Sequence, residues 1–127
     1  AKTINIEALT MLDMANKQII PSVMRFAKSL SDTCNSIREA GGDDTVPAEL
    51  LKEVTGKLTE TKKAAEHLLE EEKKAFEMPR GKEQAFCYHD RVVTAMQELR
   101  RPADELEKMV DKTYWPFPTY ADLLFEV

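Results

Sequence analysis

Apolar residues recur at alternating spacings of three and four along most of the chain, the period of a helix face. Val23, Ala27, Leu30, Cys34 and Ile37 form one stripe, and Ala8, Leu12, Ala15 and Ile19 extend it upstream. Leu51, Val54, Leu58, Thr61, Ala65, Leu68, Glu72 and Ala75 form a second, widened by Leu50 and Leu69. Ala85, His89, Val92, Met96, Leu99, Ala103, Leu106 and Val110 form a third, which places His89 in the core. The pattern predicts helices over about 5–40, 47–77 and 82–112 and a different kind of tail over 113–127. No stretch alternates with the period of a strand.

Turn residues divide the stripes. Gly41-Gly42 suits a left-handed helix end. Pro47 suits a first helical turn, where its missing N–H costs nothing. Met78-Pro79-Arg80-Gly81 breaks the pattern again. Pro21 and Pro102 fall inside stripes, so each predicts a kink. Short connections between long helices make sequential neighbours antiparallel. The expected fold is all-α: an elongated antiparallel three-helix bundle, one domain over 1–127.

Composition narrows the function. The chain has 127 residues, 43% apolar and 32% charged, enough for one packed domain. Its net charge of −5 disfavours nucleic acid, because every basic pair (Lys62-Lys63, Lys73-Lys74, Arg100-Arg101) has Glu close by. No apolar run reaches the roughly 18 residues of a membrane span. No secretory signal opens the sequence. Cys34 and Cys87 are too few for a disulfide framework and read as reduced thiols in the cytoplasm. An apolar pattern that starts almost at Ala1 suggests a piece of a longer chain.

Candidate chemistry is sparse. No phosphate loop, nucleophile elbow or HExxH motif is present. Cys87 and His89, two apart on a helix, point about 200° from each other and make no dyad. Cys34, His67, Cys87 and His89 lack zinc spacing, and Asp43-Asp44 lacks a calcium loop. His67 as a phosphotransfer group has acidic neighbours, Glu66, Glu70 and Glu71, which repel phosphate. Glu70-Glu71-Glu72 reads as a solvated face balanced by Lys73-Lys74. Met11, Met14, Met24, Met96 and Met109 read as core filling. No catalytic, cofactor or metal residue is assigned.

The tail is the distinctive part. Pro116 and Pro118 hold it extended, and five of the nine aromatics lie in it. Thr119 and Asp122 resemble a capping box before Leu123-Leu124-Phe125, which predicts a short terminal helix. Trp115, Phe117, Tyr120, Leu124 and Phe125 are the expected docking residues. They either latch the tail across the bundle or meet a surface outside this chain.

Several stretches resemble the extreme C-terminus of type III glutamine synthetases. They are Asn5-Ile6-Glu7-Ala8, Met14 through Ile19-Ile20-Pro21, Met109-Val110-Asp111, Trp115 through Tyr120, and Leu123-Leu124-Phe125. The resemblance implies a non-catalytic, C-terminal helical appendage of a glutamate–ammonia ligase. It further implies ATP and Mg or Mn for the parent enzyme, with the active site upstream. The implied partners are the upstream catalytic domain and neighbouring subunits of a cytoplasmic homo-oligomeric ring. The alternative is a freestanding helical adaptor or scaffold that binds partner proteins.

Overall fold

The computed structural model describes residues 2–118. All regular structure among them is helical, in three rods. The first rod comprises α1 (Lys2–Met14), a π turn (Ala15–Ile19) and α2 (Ile20–Glu39). The second is α3 (Thr45–Glu77). The third comprises α4 (Lys82–Cys87), a second π turn (Tyr88–Val92) and α5 (Val93–Met109). Tyr120, Leu124, Phe125 and the expected terminal helix lie outside the described residues.

Local chemistry sets the ends. Gly41 takes φ +81°, and the Gly42 N–H reaches the Ile37 carbonyl at 2.8 Å while Gly41 N–H reaches Arg38 at 3.1 Å. This pair of bonds satisfies carbonyls that the last turn of α2 would leave open. Asp43 accepts from the Thr45 N–H at 3.0 Å, which starts α3 two residues ahead of Pro47. The Gln84 amide donates to the carbonyls of Ala75 and Met78, both at 3.1 Å, and so closes the α3–α4 turn. The third rod stops at Met109, short of the expected Lys112. Val110 turns extended, and Asp111 captures the Thr113 N–H at 2.8 Å, a local bond that competes with the helix.

The two prolines act differently from each other. The Pro21 ring has no N–H for the Lys17 carbonyl and crowds it. Lys17 lies within the first π turn, where Ile20 N–H bonds back to Ala15 instead. The break expected at Pro21 is thus a widened turn inside a continuous rod. At Pro102 the α-helix runs on without interruption, and the residue is buried.

The core forms two groups. Toward one end, Ala8, Leu12, Ala65, Leu68, Val92 and Leu99 pack together. Toward the other, Val23, Phe26, Leu30, Val54 and Leu106 do so. Residues early in the first rod meet residues late in the second, so these rods run in opposite directions. The same holds for the second and third rods. Leu68, Leu99, Leu106, Val23, Val54 and Val92 are all fully enclosed. At about 25 cal/mol per Å² of apolar area, each contributes on the order of 1.5–3 kcal/mol.

Three expectations for buried positions need correction. His89 is exposed, as is Ala85, while Cys87 and Tyr88 are buried in their place. The second π turn supplies one residue more than an α turn, which rotates everything upstream of Val92 relative to the stripe. Glu71 and Glu72 are buried, and only Glu70 of that run is solvated. Met24 and Leu69 face solvent, and Phe26 takes the core position beside the half-buried Ala27.

Candidate functional site

Three features could carry function, and each is built by the rods already described. The first is a buried polar clamp. Glu72 projects from α3 into the gap between α1 and the second π turn. The Asn5 side-chain amide donates to Glu72 Oε1. The Tyr88 hydroxyl donates to the same oxygen at 3.3 Å. Burial pushes the Glu72 carboxyl above its ordinary range, and the two donors pull it partly back. Burial and the neighbouring Glu72 charge push the Tyr88 phenol up. Glu72 Oε2 and Glu71 Oε2 are buried without a hydrogen-bond partner. Clamping the rods together is what this arrangement can do.

His67 stands beside the clamp on the surface. Its Nε2 lies 3.5 Å from Glu71 and its Nδ1 lies 3.2 Å from Glu98, so it bridges α3 to α5. Lys57 makes a second bridge, to Glu105 at 2.6 Å and Glu60 at 3.0 Å, where the i, i+4 rule would have paired it with Glu53. The His67–Glu98 and Lys57 contacts are solvent-accessible, so their worth is small, whereas Glu71 is buried. Cys34 and Cys87 are buried and form no disulfide.

The second feature is the aromatic run after α5. Asp111 also accepts from the Thr113 hydroxyl, and its carbonyl takes the N–H groups of Tyr114 at 2.8 Å and Trp115 at 3.2 Å. This turn sends the chain back along the rods. Tyr114 tilts against Phe26 with ring centres 5.6 Å apart. Trp115 and Phe117 meet edge to face at 6.4 Å. All three are half-buried against the second core group. Trp115 and Phe117 wall a groove of about 380 Å³ whose other sides are Met11, Met14, Leu99 and Ala103.

The third feature is a groove of about 560 Å³ at the α3–α4 turn. Met78, Phe86 and Cys87 form its apolar surface, and Lys74, Lys82, Arg91 and Glu83 its polar part. Phe86 and Phe76 are each 68% exposed at this end. Exposed large aromatics gathered at one end mark an interaction surface more often than a random one.

The relatives of the chain are now informative. The family model for the glutamine synthetase C-terminal domain matches residues 1–38. A glutamine synthetase of Butyrivibrio fibrisolvens is 34% identical over 129 residues, covering all of this chain and 18% of that protein. This chain is related to the C-terminal region of glutamine synthetases. A glutamine synthetase of Bacteroides fragilis strain YCH46 is 27% identical, over 96% of this chain. A type-3 glutamine synthetase of Dictyostelium discoideum is 25% identical, over 98% of this chain. The chain spans 18% of the length of each of these relatives. The resemblance carried by the first helix and the tail is therefore the one the comparisons find.

Glutamine synthetases use a nucleotide and a divalent metal. Among the described residues, no three His, Cys, Asp or Glu side chains gather so as to hold a metal ion. Glu71 and Glu72, whose buried Oε2 atoms lack a hydrogen-bond partner, are enclosed by packing. These two carboxylates do not fit a metal site. No described helix is long and apolar enough to cross a membrane. Asn5 of the clamp lies in the family-matched segment, whereas Glu72 and Tyr88 lie beyond it.

Proposed function

We propose that this chain is the non-catalytic helical C-terminal part of a type III glutamine synthetase, an ATP-dependent glutamate–ammonia ligase of the cytoplasm. The observation that carries the reading is the match of the whole chain to under a fifth of each relative's length. In this reading the parent's ATP and Mg or Mn sit in an upstream catalytic domain, and this part braces that domain or neighbouring subunits of a homo-oligomeric ring. The buried clamp supports it, because polar groups that would serve chemistry are committed to joining rods. The exposed Phe76 and Phe86 support a contact surface. Trp115, Phe117, Tyr120, Leu124 and Phe125 are assigned to docking and interface, not to catalysis.

The test uses the parent enzyme with and without this segment. Sedimentation should show loss of assembly or stability in the shortened enzyme before its intrinsic chemistry is lost. The isolated 127-residue chain should release no ADP with glutamate and ammonia. Activity from rigorously pure chain would overturn the reading. The same aromatic end also suits a freestanding adaptor. A catalytic region encoded in frame ahead of Lys2 excludes that alternative.

A further inference from the structure

The first helix starts at the end of the bundle that carries the exposed aromatics. α1 begins at Lys2, and Ile4 packs in the same core group as Met78 of the α3–α4 turn. Asn5 reaches Glu72, so the start of α1 lies beside the last turns of α3. Among the described residues, Ile6, Leu9, Leu69, Phe76 and Phe86 are large apolar side chains left exposed along this half of the bundle. Met24 and Val46 are their counterparts along the other half. Apolar surface gathered in this way marks a contact site. We infer that this end, centred on the groove of Met78, Phe86 and Cys87, seats the domain that precedes Lys2 in the parent chain, through an apolar patch bearing carboxylates. The inference rests on the ligase reading, in which a catalytic domain lies upstream, and names the surface and partner which that reading leaves open.

Two arguments select this occupant. The first is where the rest of the parent attaches. This chain matches under a fifth of each relative's length, and on the ligase reading the remainder joins at Lys2. Lys2 stands three residues before Asn5, about 5 Å along the rod axis at 1.5 Å per residue. A tether this short holds the preceding domain at an effective concentration on the order of millimolar, ahead of a separate protein. The second argument is charge. Lys74, Lys82 and Arg91 line the groove against the exposed Glu83, in a chain of net charge −5. Glu71, the other carboxylate that lines it, is buried and faces His67 and Lys74. Such a rim favours Asp and Glu on whatever covers Phe86. A second copy seated here by a two-fold contact would bring the same cations against each other, which like charge opposes.

The test uses the assembled parent enzyme. A photoreactive benzoyl-phenylalanine placed at Phe86 is activated, and the products are sized under denaturing conditions and mapped by mass spectrometry. Cross-links should reach residues upstream of this chain and leave a band of one chain's mass. The same probe at Met24, exposed along the other half, should give none to that region. Arg91→Glu, a change at an exposed residue, should cut the Phe86 cross-link about tenfold by setting like charges against each other. An undiminished yield in that variant would overturn the carboxylate-bearing patch. Cross-linked products of doubled mass would assign the surface to a neighbouring subunit and overturn the inference. Cross-links confined to residues 1–127 would overturn it as well. A parent sequence with no catalytic region ahead of Lys2 fails the ligase reading itself. A catalytic region that is present but not cross-linked fails this inference alone.

Discussion

The Tyr88 hydroxyl and the Asn5 amide donate to the same oxygen of Glu72, so three rods meet on one buried atom. Each donor replaces water that the carboxylate lost on burial. Tyr88→Phe keeps the ring in the core and removes only the hydroxyl. It should cost about 1–3 kcal/mol, the range for leaving a buried polar group short of a partner. Urea unfolding followed by circular dichroism measures this. A loss within a few tenths of a kcal/mol would show that the hydroxyl contributes nothing to the clamp.

The same carboxyl sets a pH dependence whose sign follows from its burial. The folded chain holds the Glu72 proton more tightly than the unfolded chain, where the group titrates near its ordinary 4.5. Stability from this group is therefore full below that value and falls as pH rises through the raised folded value. Glu72→Gln keeps an acceptor for Asn5 and Tyr88 but has no proton to lose. Relative to wild type, the variant should gain stability as pH rises above the ordinary carboxyl value, until Glu72 is ionised in the folded chain as well. Denaturation midpoints that stay parallel across that range would contradict the assignment.

Helix type and length are legible in this sequence because the three stripes are long and their spacing unambiguous. What the pattern does not carry is the point where the helical pitch changes. An α-helix drawn through Val92 places His89 and Tyr88, three and four residues before it, on one face, and the extra residue of the π turn moves His89 out and brings Cys87 in. A signal was present in Cys87, a residue type among those most often fully buried. Glu72 gave another signal, a carboxylate standing on an otherwise apolar stripe. Phe26 and Ala27 both fit the spacing from Val23, and bulk alone would have decided for Phe26. The aromatic groove depends on a return of the chain after α5, which no local period encodes.

The π turn also predicts how the third rod tolerates a deletion. Removing His89 takes one residue from a turn that already holds one too many for an α-helix. Cys87 and Tyr88 then sit four and three residues before Val92, on the same face. Removing Gln97 instead rotates Leu99, Leu106 and their neighbours away from everything upstream. The His89 deletion should retain the helical signal and cooperative unfolding, while the Gln97 deletion should lose several kcal/mol from displaced core side chains. Equal damage from the two would show that the widened turn is not a spare residue.

Trp115 offers the last test, because its environment bounds its value. A wholly buried aromatic costs about 3–5 kcal/mol when cut to alanine. Trp115 is only half-buried, and its backbone N–H bond to Asp111 survives the substitution. The loss is then part of its apolar area plus the edge-to-face contact with Phe117, the latter about 0.5–1.5 kcal/mol. Trp115→Ala should therefore cost about 2 kcal/mol, below the range for a fully enclosed ring. Far-ultraviolet circular dichroism in denaturant reads the midpoint without the tryptophan signal. An unchanged midpoint would mean that the ring adds nothing to this fold and is held for a surface beyond it.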